Sequence, residues 1–129
     1  MSSRQSVQSG APWESTVGYA RAVRVGRHVF VAGTIGREAD GSLTVGNAHR
    51  QAERALEIIC EALTKLGASP SDVVRTRMFV TDISRWEEFG RAHAAIFGEI
   101  RPATTMVEVT KLITADALIE IEADAVVEV

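Results

Sequence analysis

The sequence predicts an α+β fold: a mixed sheet in the order β-β-β-α-β-α-β-β, with two helices on one face. Three observations predict it: two segments with a helical apolar stripe, several short segments of strand periodicity, and turn residues between them. Each helix has a single stripe to bury, so both pack against the same side of the sheet and leave its other side to be covered. The chain of 129 residues is of the size for one domain with one core.

Residues 1–15 are polar and read as a flexible start. Residues 20–25 and 28–32 read as two strands joined by Gly26-Arg27, a pair suited to a two-residue hairpin turn. Asp40-Gly41 marks a turn before a short third strand at 43–45. Asn47 is placed to cap a helix reaching Leu66, because Ala52, Ala55, Leu56, Ile59, Leu63 and Leu66 recur on one stripe and Gly67 follows as a stop. Ser69-Pro70-Ser71-Asp72 then turns the chain into a strand at 73–80. Ser84 with Glu87 forms a capping-box pattern for a second helix, with Trp86, Phe89, His93, Ile96 and Phe97 on its apolar face. Beyond Pro102, which biases Arg101 toward extended geometry, two strands alternate apolar and polar residues around a polar loop. Thr104, Met106 and Glu108 share one face of the first; Glu120, Glu122 and Asp124 share one face of the second.

Composition narrows the function classes. Apolar residues make up 46% and charged residues 24% of the chain, and the net charge is −3. That balance argues against a surface built to hold nucleic acid by bulk electrostatics. No run of about 18 apolar residues is present to span a bilayer and the N-terminal stretch has no apolar core, so the expected location is cytoplasmic, with no membrane partner. Cys60 is the one cysteine, which forbids an intramolecular disulfide, and its helical setting fits a buried small hydrophobe. Paired Cys or His at metal-ligand spacing are missing, as is a phosphate-cradling glycine loop, so neither metal nor organic cofactor is expected.

Arg101-Pro102-Ala103-Thr104-Thr105-Met106-Val107-Glu108-Val109, with Ile119-Glu120-Ile121-Glu122-Ala123 after it, resembles the signature of the Rid/YjgF family, the reactive intermediate deaminases. Gly18-Tyr19, Val31-Ala32-Gly33, Phe79-Val80-Thr81-Asp82 and Phe97 extend the resemblance over nearly the whole chain. The resemblance implies a fold similar to bacterial chorismate mutase, assembled as a homotrimer with small-molecule clefts between subunits. It also implies hydrolysis of an imine or enamine to a ketone and ammonia, the substrate carboxylate being gripped by an arginine after Pro-Ala.

That position is Thr104 here, and a neutral hydroxyl forgoes a charge-assisted contact of about 1.5–3 kcal/mol. A standard 2-iminocarboxylate is therefore not the expected substrate. Gly90, Ala32 and Met106 also replace residues usual in the family. Among retained positions, the resemblance gives Tyr19 a wall or hydrogen-bonding role, Gly33 a backbone contact, and Glu120 the positioning of a hydrolytic water. Thr104, Thr105 and Met106 would line the substrate, with backbone amides near Thr105 orienting it.

Each has a plainer reading: Tyr19 as an edge aromatic, Gly33 as a packing glycine, Glu120 as one acid of a solvated face. His93, where the family carries tyrosine, reads either as a satisfied core histidine or as a cleft residue. Arg77, with Arg75, reads as a structural ion pair or as a substitute for the missing arginine. Two functions follow: an imine or enamine hydrolase acting on such a metabolite, or a non-catalytic trimeric ligand-binding protein on the same scaffold.

Overall fold

The computed structural model describes residues 4–128. Six strands and two helices run β1 (Arg4–Val7), β2 (Ala22–Val25), β3 (His28–Ile35), α1 (Ala48–Lys65), β4 (Val73–Val80), α2 (Trp86–Phe97), β5 (Ala103–Glu108) and β6 (Ile119–Val126). They form one sheet in the order β1-β2-β3-β6-β4-β5. All neighbours are antiparallel except β4 and β5. The expected α+β architecture is present.

Alternation along β6 fixes the two sides of the sheet. Ile119, Ile121, Ala123 and Ala125 are buried against the helices, while Glu120, Glu122 and Asp124 point to the other side. Phe89 and Phe97 from α2 join Leu56, Ile59 and Leu63 from α1 in the core. Asn47 caps α1 as expected, its side chain accepting from Arg50 N at 2.9 Å. Gly67 follows the helix with φ +77°, a conformation that costs glycine little.

Four local expectations are corrected. The segment expected to be flexible supplies β1, paired along β2, and a helical turn at Glu14–Gly18. Residues 43–45 are not a strand. Val45 is exposed, and the Thr44 carbonyl accepts instead from the buried Gln51 amide at 3.1 Å. Gln51 also donates to Asp116 O and accepts from Leu118 N, so it draws two loops onto α1 where strand pairing would need a free sheet edge. The expected element order survives because β1 takes the place of that third strand. The second helix is entered through Asp82, whose carboxylate accepts from Ser84 N, rather than through a Ser84–Glu87 box. Arg101 has φ 55° rather than an extended conformation, with its amide donating to Phe97 O at 2.8 Å to close the end of α2.

Candidate functional site

Tyr19, Gly33 and Glu120 line one cavity of about 630 Å³, at the end of the sheet where β3 and β6 meet the N-terminal segment. This volume is in the range of small-metabolite sites. The register of β3 against β6 shifts between Val31 and Thr34, and such a bulge re-aims side chains and frees backbone groups. At the bulge, a β-carbon on Gly33 would lie 2.6 Å from Glu120 Oε2. The Glu120 carboxylate thus rests against the Gly33 backbone, in space only glycine leaves open. Burial pushes its carboxyl above the usual range, Arg21 opposes that shift, and Glu122 adds to it.

Behind this wall lies a buried ion pair that the sequence reading did not single out. Arg21, 4% exposed, and Glu14, 5% exposed, meet at 3.3 Å. Arg21 further donates to Thr34 Oγ1 at 2.9 Å, to the Gly33 carbonyl, to Tyr19 Oη at 3.3 Å and to Ser9 Oγ at 3.3 Å. Its guanidinium lies 5.4 Å from the Tyr19 ring centre. Burial works to raise the Glu14 carboxyl, but the Ser9 hydroxyl and amide together with Arg21 outweigh it and hold the group below its ordinary value. All these contacts satisfy a charge that would otherwise be costly to bury, and they fix the Gly33 backbone and the Tyr19 hydroxyl together. A cue was available: Arg21 shares strand parity with Tyr19 and Val23.

The other predicted residues lie elsewhere. Thr104 pairs in register with Thr76, and Thr76 with Ala123, two strands and three residues away from Glu120. Strand spacing and rise put the two Cα atoms about 14 Å apart. They also face opposite sides of the sheet. Thr104 Oγ1 lies 2.7 Å from Thr76 Oγ1, which lies 2.9 Å from His93 Nε2, on the helix side. His93 also packs 4.7 Å from the Phe97 ring centre, and burial lowers its pKa. It is a half-buried, hydrogen-bonded imidazole. Met106 packs on the core from β5, whereas Thr105 is exposed.

Arg77 donates to Glu122 at 3.1 Å and Asp124 at 3.3 Å on the open face. Its charge is already met. Glu108, on the helix side, instead accepts from Ile83 N at 3.0 Å. Burial raises the Cys60 thiol, in keeping with a small hydrophobe. Among the described residues no group of three His, Cys, Asp or Glu side chains is arranged to hold a metal, and no helix is long and apolar enough to cross a membrane.

The family model described as Endoribonuclease L-PSP matches residues 9–127. The chain belongs to this family, also known as YjgF or Rid. An uncharacterized protein of Streptomyces coelicolor is 36% identical over 119 residues, covering 92% of this chain and 89% of that protein. Among solved structures, a Mycobacterium tuberculosis member of the YjgF/YER057c/UK114 family is 54% identical, with a TM-score of 0.88 over 97% of this chain and all of that one. E. coli TdcF, solved with bound serine, is 25% identical with a TM-score of 0.80 over 95% of this chain and 94% of its own. The matched span includes both segments that carry the Rid resemblance, residues 101–109 and 119–123.

Proposed function

We propose that this Rid-family chain binds a small metabolite in the Tyr19–Gly33–Glu120 cavity and hydrolyses a reactive imine or enamine there. One observation carries the reading: a carboxylate with a raised pKa, seated on a glycine at the wall of a metabolite-sized cavity. Such a group accepts a proton from water while the water adds to the C=N carbon, and returns it to nitrogen as the carbinolamine collapses. The products are a ketone and ammonia; an enamine first takes a proton at carbon to become the imine. Glu120 is the base in this scheme, and Tyr19 and the Gly33 backbone position the substrate.

Thr104, Thr105 and Met106 lie too far from Glu120 to complete the same site within one subunit. Their place on the edge strand β5 fits a homotrimer in which the exposed Thr104 and Thr105 meet a neighbouring subunit, while Met106 stays packed on its own core. Phe30, 50% exposed, and Val107, 42% exposed, supply apolar surface for such an assembly. Because Thr104 offers no charge, the substrate is not a 2-iminocarboxylate gripped from that side.

The test couples a purified oxidase or dehydratase that generates imines to continuous measurement of ammonia. Added protein should accelerate release from imines lacking a 2-carboxylate, and Glu120→Gln should abolish the acceleration. Thr104→Arg should extend it to 2-iminocarboxylates. A protein that binds ligands but accelerates none of these imines would instead be the non-catalytic ligand-binding member. Sedimentation at micromolar concentration tests the trimer.

A further inference from the structure

We propose that Arg37, stacked on Trp13, is the anion-binding group of this cavity, and that its ligand carries a carboxylate remote from the reacting carbon. The inference rests on the cavity being the ligand site, and it moves the anion grip from position 104, which lies outside this cavity, to the cavity's own wall.

Three arginines and Lys65 line the cavity, and two of the arginines are committed. Arg21 is used up on Glu14, Tyr19, Ser9, Thr34 and the Gly33 carbonyl. Arg54 donates Nε to the Arg37 carbonyl at 2.8 Å and Nη1 to Glu57 at 3.2 Å. Arg37 differs: among the described residues no carboxylate lies within 4 Å of its guanidinium, which sits over the Trp13 ring at 5.5 Å from its centre. Attraction to the aromatic face holds the guanidinium over the ring while leaving its N–H groups free of acceptors among the described residues, so that they can receive a carboxylate.

The backbone beneath Arg37 is held firmly. Its amide donates to Ile35 O at 2.9 Å, its carbonyl accepts from Arg54, and Gly36 beside it lies so close to α1 that a β-carbon would be 2.2 Å from Gln51 O. The cation is therefore presented from a fixed point with a free edge. Glu120, on the same cavity, repels any carboxylate placed next to it. An anionic ligand is thus oriented with its charge at Arg37 and its uncharged end at Glu120.

Calorimetric titration with succinamate, which carries one carboxylate and one neutral amide end, and with neutral succinamide tests this. A Trp86→Phe background leaves Trp13 the one indole of the chain, which has two, so its fluorescence reports occupancy beside Arg37. Succinamate should bind, perturb Trp13 emission, and outcompete succinamide by about tenfold or more. Arg37→Gln should erase that preference, Arg37→Lys should restore part of it, and Arg77→Gln should leave it intact. Succinamate binding unchanged in Arg37→Gln, equal binding of succinamide, or no succinamate binding to the unsubstituted protein would each overturn the proposal. Carboxylate binding through Arg37 without any acceleration of imine hydrolysis would refute the catalytic reading alone.

Discussion

Gly33→Ala separates a working Glu120 from one acid among several on a solvated face. The new β-carbon would fall 2.6 Å from Oε2, 2.8 Å from Cδ and 3.1 Å from Cγ of Glu120, so the side chain must retreat toward an ordinary contact of at least 3.4 Å. The obstacle is the far end of a flexible side chain, and Gly33 is not in the left-handed region. A displaced rotamer costs about 0.5–1.5 kcal/mol, and the loss of a glycine from the unfolded chain returns about 0.4–1 kcal/mol. Net stability should therefore change by about 1 kcal/mol or less. The carboxylate, however, moves by close to an ångström, a misplacement on the scale of about a hundredfold in rate for a group that must hold a reacting water. The assay pairs thermal unfolding with coupled ammonia release. Gly36→Ala is the contrasting control: its β-carbon would meet the Gln51 backbone at 2.2 Å, which cannot swing aside, and stability should drop by about 3 kcal/mol. Ammonia release undiminished in a well-folded Gly33→Ala protein would refute a catalytic place for Glu120.

Glu120→Gln should also alter the pH dependence of stability. With its folded pKa raised above 4.5, the native protein keeps a proton that the unfolded chain has released, so Glu120 makes stability fall as pH rises from about that value through the folded pKa. The variant should match the wild type in acid and melt higher at neutral pH, as read by thermal midpoints across pH 4–8. Arg21→Met strands the buried Glu14 carboxylate and should cost about 3 kcal/mol, with protease cutting first ahead of Tyr19; an unchanged midpoint would remove Arg21 from the supporting structure. Gly90 lies inside α2, where an added β-carbon would meet nothing within 4 Å, so Gly90→Ala should stabilise by about 1 kcal/mol and lift the midpoint by about 4 °C.

The strongly periodic elements were legible. The α1 stripe, the Asn47 cap and the alternation of β6 follow from short-range rules, and they appear where those rules place them. The misread elements depend on neighbours distant in sequence. The alternating Leu43-Thr44-Val45 triplet satisfies strand periodicity, but Gln51 claims the Thr44 carbonyl; a polar start becomes β1 because β2 has an edge to offer. Of the predicted site, Tyr19, Gly33 and Glu120 converge, whereas Thr104 and His93 sit on the other side of the sheet. Alternation assigns each strand its two faces, but not which strands are neighbours, and that separation is a matter of strand order. Arg37 was invisible for the same reason: its isolation from acids is a property of the folded surroundings.

The Ser9–Glu14–Arg21 linkage has a consequence for how this protein can diverge. The helices and the middle strands build the core, while the Gly33 carbonyl and the Tyr19 hydroxyl take their settings from the N-terminal wrap. Part of the cavity rim thus comes from a stretch outside the scaffold, while Gly33 and Glu120 come from its central strands. A library confined to residues 10–18, keeping Trp13 and Glu14, can reshape what the cavity admits without touching Ser9, Tyr19 or the packed interior, whereas trimming that stretch would leave the fold's frame but take away the vessel.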